Sequence, residues 1–472
     1  MGLAIYEKEP NITWVNYKFI EQRIDAQYYK REFVENEIKL KQIKNLPLKE
    51  LYTRGDYGTL PDSADYSEKG IYLIRGTDLR DLSIKEDDLI LVPEEYFSDK
   101  SEVKSEDILI LIKGATIDAE WSVSIVPKIN YKAIFNGSIF RIRLKKEYDP
   151  YFVTAFMSTK YFLYQKKRAI SNTGIYYNDK ESIENFIISI PSPEIQKYIG
   201  DKVRKAEELR EEAKKLKKEA EEILNAELKL SYFNERVKDA PKIYNWIYGE
   251  SIEIRIDSQY YINETNFINN EMYKKGLKLK RISEIANVGK GFSYTSLDNK
   301  SIPYIRISDL DDLLINFDTA ELVDEKTYSE KKSSQLEKYD LIFAITGATI
   351  GKVSLFYNSK YSKATLSSDT AFVRLKDKND AAYVLLYLKS FIGQLGILKG
   401  VTGATNRHLS LEHIGDIFIP VIDNKLKQEI NMRVIKAIDN VYLSKQLIKE
   451  AKQDVEDLIE GNFDMSKVKA NS

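Results

Sequence analysis

Cysteine is absent from the 472 residues, which excludes disulfides and thiolate metal sites. Histidine occurs only twice, as His408 and His413, so neither a zinc site nor a histidine proton relay is expected. No apolar run reaches the roughly 18 residues that signal a transmembrane helix. The opening MGLAIYEKEPNITW has neither a basic n-region nor an apolar h-region, so no secretory signal is read and the cytoplasm is the expected location. A surplus of charge is missing too: 72 basic residues face 73 acidic ones. A simple cationic nucleic-acid binder would be basic overall. Clustered basic residues, or charge supplied by partners, would still be compatible with that role. No Pro-Pro pair exists, so the Asn/Asp-Pro-Pro-aromatic motif of an amino-methyltransferase is absent. No Walker glycine–lysine loop is present either, which excludes a P-loop ATP motor.

What is present is a repeat. The length exceeds one ordinary core, and self-similarity spans nearly all of it. RIDAQYY at Arg23–Tyr29 returns as RIDSQYY at Arg255–Tyr261, 232 positions on. Trp14 and Trp246 each stand nine residues before that arginine. YLIRGTDL (Tyr72–Leu79) matches PYIRISDL (Pro303–Leu310), and KGATI (Lys113–Ile117) matches TGATI (Thr346–Ile350). IISIP ending at Pro191 matches IFIP ending at Pro420. Matching order at near-constant spacing means duplication of one unit of about 230 residues, far longer than a solenoid repeat. Each unit is then expected to be a domain with an appendage.

Short β-branched runs suit strands: GIYLIRG, DDLILV, DILILIK, SVSIV and SIFRIRL in unit one, and SIPYIRI, DLIFAIT, KVSLFY and TAFVRL in unit two. A helix, DPYFVTAFMSTKYFLYQKKR, interrupts the first set, with NDAAYVLLYLKSFIGQL as its counterpart. After Pro191 and Pro420 come long polar helices. In the first, spacings of three and four link Ala206, Leu209, Ala213, Leu216, Ala220 and Ile223. In the second, Val434, Val441, Ile448 and Val455 form one heptad row; Ile430, Ala437, Ser444, Ala451 and Leu458 form the other. One bulky and one small row per helix predict close antiparallel packing of the two as a coiled coil. Some 38 helical residues would span roughly 57 Å, a length suited to two reading points on duplex DNA, whose turn is ~34 Å. The expected fold is α+β: two tandem β-rich domains, each followed by a long helix, the helices forming an antiparallel coiled-coil spacer. The boundaries read as 1–191, helix 192–231, 232–420, helix 421–461 and a tail 462–472.

With RIDAQYY/RIDSQYY, IPYIRISDL, AITGATIGKVS and VTGATNRHLSLEHIGDIFIP in order and largely in duplicate, the chain resembles the specificity subunit of type I restriction–modification systems over nearly its full length. The resemblance implies two target-recognition domains, each reading half of an asymmetric bipartite DNA sequence. It also implies a helical spacer that docks two methyltransferase subunits, and motor-endonuclease subunits that join them. Such a subunit does no chemistry, has no cofactor of its own, and leaves S-adenosylmethionine, ATP and Mg to its partners. Unit one departs from the pattern: Asp118 stands where Gly351 does, Gly76 replaces Ile307, and SNTGIYYNDKESI lacks the arginine Arg407 supplies.

Several residues are candidates for DNA contact. In the glycine loops, Lys113, Thr116, Thr346, Thr349 and Lys352 offer hydroxyls and charge to a phosphate, but the same residues suit an ordinary tight hairpin turn. VTGATNRHLS, read as a loop, carries Thr402, Asn406, Arg407 and His408. Asn and Arg can read adenine and guanine edges, or Arg407 could form an internal salt bridge. Asn172 and Thr173 are its weaker counterpart in unit one. Arg75 and Arg306 precede Asp78 and Asp309 and serve DNA or an internal pair equally. Lys166, Lys167 and Arg168 form a basic run for backbone electrostatics, or a solvated face. RGDYGTL and GKGFSYTSL place Tyr57, Lys290 and Tyr294 in loops able to enter a groove.

Three other readings stay open. One is a specificity subunit paired with a fused methylase–nuclease; another is a protein-interaction scaffold. A carboxylate–lysine nuclease around Asp107 and Lys113, or Asp62 and Glu68, is disfavoured because Thr346 replaces Lys113 in the repeat.

Overall fold

The computed structural model describes residue 23 and residues 25–80, 82–86, 89–170, 174–240, 264–294, 300–357, 361–403 and 407–470. Trp14, Trp246 and RIDSQYY lie outside them. Contacts divide the chain into two compact units, Met1–Leu209 with Tyr442–Ser472, and Arg210–Val441. Each long helix is therefore split between the units.

In unit one, strands Tyr52–Tyr57, Ile139–Leu144, Ile108–Leu111 and Val123–Ile125 form an antiparallel sheet in that order. A second sheet runs Ile90–Val92, Ile71–Ile74, Ala133–Phe135, its last pair parallel. A short pair, Asn45–Pro47 with Ile187–Ser189, closes the domain. Unit two repeats this strand for strand. Its first sheet runs Ala286–Lys290, Thr370–Leu375, Leu341–Ala344, Val353–Leu355. Its second runs Glu321–Val323, Ile302–Ile305, Thr365–Leu366, and its closing pair is Leu279–Arg281 with Phe418–Pro420.

The strands carrying the opening of each glycine loop are apolar without alternation because both faces are covered. Ile108 and Ile110 join one core while Leu109 and Leu111 join another. Beside them each unit holds a bidentate arginine on a buried aspartate. Arg143 donates from Nε and Nη2 to Asp107 at 2.7 and 2.8 Å; Arg374 does the same to Asp340 at 2.9 and 2.7 Å. The preceding residues, Glu106 and Tyr339, share a positive φ, 69° and 79°. Burial pushes the Asp340 carboxyl above its usual range, although Arg374 pulls the other way.

Each expected internal helix is two helices. Pro150–Met157 and Lys160–Arg168 are separated at Ser158 and Thr159, where Thr159 is extended. Ala381–Lys389 and Phe391–Lys399 break at extended Ser390, whose Oγ accepts from the Gly393 N–H. No single helix among the described residues is long and apolar enough to cross a membrane.

The long helices run Pro193–Leu228 and Asn424–Glu460. The first ends at left-handed Lys229 (φ 53°) and the second at Gly461 (φ 78°), the conformation that closes a helix. Within unit one, Ile199, Val203 and Ala206 share a core with Ile448, Ala451 and Val455. The Tyr198 ring meets Phe463, and Lys202 bonds Asp454 at 2.5 Å. Within unit two, Glu212 pairs with Lys436 and Glu219 with Arg433. In each unit numbers rise along one segment as they fall along the other, so the segments run antiparallel.

Candidate nucleic-acid interface

The second strand pair of unit two's first sheet is joined by the loop that holds Gly347 and Gly351. Their φ values, 77° and 98°, lie in the left-handed region, which glycine enters without steric cost. A Cβ on Gly351 would also meet the Gln394 side chain at 2.8 Å. This loop lies against Val401–Ser410, which is not a loop throughout: Val401–Thr402 pairs with His408–Leu409 as a short antiparallel ribbon. Loop and ribbon are bonded. The Gly347 N–H donates to Arg407 O at 3.3 Å, the Leu409 N–H donates to Ile345 O at 2.9 Å, and Thr346 bridges to His408. The product is one polar edge on which Thr349, Thr402, Arg407 and His408 are exposed. Thr346 Oγ1 donates to Asp369 and Thr402 Oγ1 to the His408 carbonyl. Lys290 closes its strand beside the edge and is exposed.

Unit one builds the same edge from different residues. The Gly114 N–H donates to Tyr176 O at 3.0 Å, the Asn178 N–H donates to Ile112 O at 3.0 Å, and Lys113 bridges to Tyr177. Tyr176 therefore stands where Arg407 does, and Tyr177 where His408 does. Strand register pairs Tyr57 with Phe140 as it pairs Lys290 with Ala371, which sets Tyr57 opposite Lys290 in the repeat. Lys113 and Thr116 are exposed. Nine positions separate Gly114 from Val123, against six from Gly347 to Val353. The longer loop spares Asp118 the positive φ of Gly351. Burial raises the Tyr57 phenol above its ordinary range, and its hydroxyl lies 3.3 Å from that of Tyr177.

Sequence reading passed over Ile175, Tyr176 and Tyr177. The signal was available: Tyr176 plus the offset of 231 is Arg407.

Other candidates are placed differently. Lys166 is buried, its ammonium donating to Leu111 O at 2.9 Å and Ser122 Oγ at 2.7 Å. Burial lowers its pKa to about 7. Arg168 is also buried, stacked on Tyr28 at 4.0 Å and paired with Glu37. Of that run only Lys167 is exposed, 3.9 Å from Asp118. The reason is helical: successive residues rotate by roughly 100°, so three adjacent cations cannot share a face. Both are corrections to the phosphate-contact expectation. Arg75 and Arg306 are internal: Arg75 Nε and Nη2 bond Asp78, and Arg306 bonds Asp309, Glu321 and the Thr319 carbonyl. Hydrogen bonding to Asp309 raises the Arg306 pKa. Lys352 turns its ammonium back to Leu310 O at 2.5 Å. Tyr294 packs on Phe292 and Tyr304 and bonds Asp324. Tyr57 and Lys290 end strands rather than riding in loops. Asn172, Thr173 and Asn406 lie outside the described residues. Among the described residues no group of three or more His, Cys, Asp or Glu could hold a metal ion.

One α+β unit is built twice, each copy presenting a glycine loop bonded to a polar segment. Residues 274–453 match the family model described as "Type I restriction modification DNA specificity domain". The likeness to type I specificity subunits drawn from the motifs agrees with that match. A comparison with curated protein sequences returns no match. Among solved structures, the chain is similar to the type I restriction–modification S subunit from M. genitalium, at 12% identity and a TM-score of 0.44, covering 89% of this chain and 96% of that one. It is also similar to the HsdS subunit from Thermoanaerobacter tengcongensis, at 14% identity, a TM-score of 0.29 and the same coverage.

Proposed function

We propose that this chain is the non-catalytic DNA specificity subunit of a type I restriction–modification complex. The observation that carries the reading is the specificity domain in unit two, repeated in unit one with the same strand order. Two readers on one chain suit a bipartite target. Their edges differ in composition, so the target is asymmetric. Exposed Thr349, Arg407 and His408, with Lys290, supply hydrogen bonds and charge to base edges and phosphates in one half. Lys113, Thr116 and Tyr57 stand at the other. In this reading the long helices form an antiparallel coiled-coil spacer that fixes the distance between half-sites and docks two methyltransferase subunits. Motor-endonuclease subunits complete the complex. S-adenosylmethionine, ATP and Mg belong to those partners, and the complex works in the cytoplasm, where the DNA is.

The test is a methylome. The chain is co-expressed with its methyltransferase in a host that lacks modification, and the DNA is sequenced for modified adenines. The expected result is a single bipartite motif with a fixed spacer. Absence of any motif, while the same methyltransferase works with another specificity subunit, would overturn the reading.

A further inference from the structure

The two edges occupy one frame but differ in chemistry, although unit one also exposes Lys113 where unit two has Thr346. At three matched positions unit two places Lys290, Arg407 and His408, and unit one places Tyr57, Tyr176 and Tyr177. Before Tyr176 stands Ile175, where the sequence of unit two has Asn406. Ile175 is 56% exposed and Tyr176 50% exposed, an unusual outlay of large apolar surface on a segment hydrogen-bonded to a polar loop. The neighbouring Tyr177 is held in turn. The Tyr57 ring stands edge-on to Phe140 at 5.3 Å, and its hydroxyl meets Tyr177.

Within the DNA grooves, the apolar feature that distinguishes one base from another is the thymine C5 methyl; the guanine edge instead offers the paired acceptors that suit arginine. We infer that Ile175 and Tyr176 are specificity-determining residues that read thymine methyl groups in the half-site of unit one, while Arg407 and Lys290 make unit two the electrostatic reader. The inference rests on the DNA-reading role proposed above. It also divides the labour of binding: salt dependence belongs mainly to unit two, and methyl sensitivity to unit one.

The experiment uses the full chain with its methyltransferase. The methylome supplies the two half-sites, and exchange of unit two assigns each half to its unit. Duplexes are then made with deoxyuridine in place of thymine, in one half or the other; uracil pairs as thymine does but lacks the methyl. Deoxyuridine in the half read by unit one is expected to weaken binding roughly fourfold per contacted methyl, the worth of burying one such group. In the other half it is expected to change affinity by less than about twofold, well under that burial effect. Ile175→Ser and Tyr176→Ala, both at exposed positions, should erase the sensitivity and leave the slope of affinity against salt unchanged. Arg407→Ala should lower that slope by about one. A unit-one half-site without A·T pairs, equal affinity for the deoxyuridine duplex, or undiminished sensitivity in both variants would overturn the inference. Failure to bind any duplex, or to yield any motif, would instead overturn the reader role itself.

Discussion

The buried ammonium of Lys166 meets Leu111 O and Ser122 Oγ, and the Asp118 charge only partly offsets its burial. An unfolded lysine holds its proton to about pH 10.4; burial makes Lys166 release it near 7. Between those values the unfolded chain binds more protons, so stability rises with pH, by up to about 1.4 kcal/mol per pH unit. Below pH 7 both states are protonated and the fold bears the whole cost of the buried charge. Lys166→Met keeps the aliphatic stem and removes the charge. Thermal unfolding between pH 7 and 9 should therefore show a rising midpoint in the parent and a flatter one in the variant; parallel curves would contradict the assignment. The residue also marks a limit of sequence reading. Lys166, Lys167 and Arg168 look like one patch in the sequence, and only the rotation of the helix and the direction of each side chain separate them. Arg75 and Arg306 went the other way, since an aspartate three residues on is a local signal and the pair formed locally.

At the scale of elements, the long helices were legible in detail because a heptad pattern is a property of the helix itself. The second runs Asn424–Glu460, and Gly461 at positive φ follows its end. The small row is buried: Ala206 and Ala451 are both fully covered in unit one's core. Ala451→Leu should overpack that contact and cost about 1–3 kcal/mol, seen as a lower denaturant midpoint. An unchanged midpoint would mean the helices do not depend on close approach there. Less legible were strands of two or three residues, such as Ala133–Phe135 and Thr365–Leu366. Their pairing partners are distant in sequence, and so short a run carries no periodicity. The breaks at Thr159 and Ser390 were missed for a related reason. Both flanks are helical, and a single extended residue leaves the helical pattern on either side intact.

For the whole molecule, duplication is the organising fact. Two units with the same strand order have diverged at the positions that meet at the loop edge, while the arginine pairs on buried aspartates, Arg143–Asp107 and Arg374–Asp340, have not. Under the proposed function, replacing unit two by the matching domain of another specificity subunit should change one half of the methylated sequence and leave the other half intact. Sequencing of modified adenines reads this directly, and a change in both halves would show that the units do not read separately.

The repeat, the α+β class, the glycine loops, the heptad rows of the long helices and the family motifs were determined by the sequence alone. Each is written in residue order, in local periodicity or in the need for glycine at positive φ. The membership of the candidate site was decided only by the tertiary structure. The Tyr176 carbonyl accepts from Gly114 as that of Arg407 accepts from Gly347, because hydrogen bonds between segments some sixty residues apart set the frame. Burial, which no residue carries by itself, took Lys166 and Arg168 out of reach of any ligand.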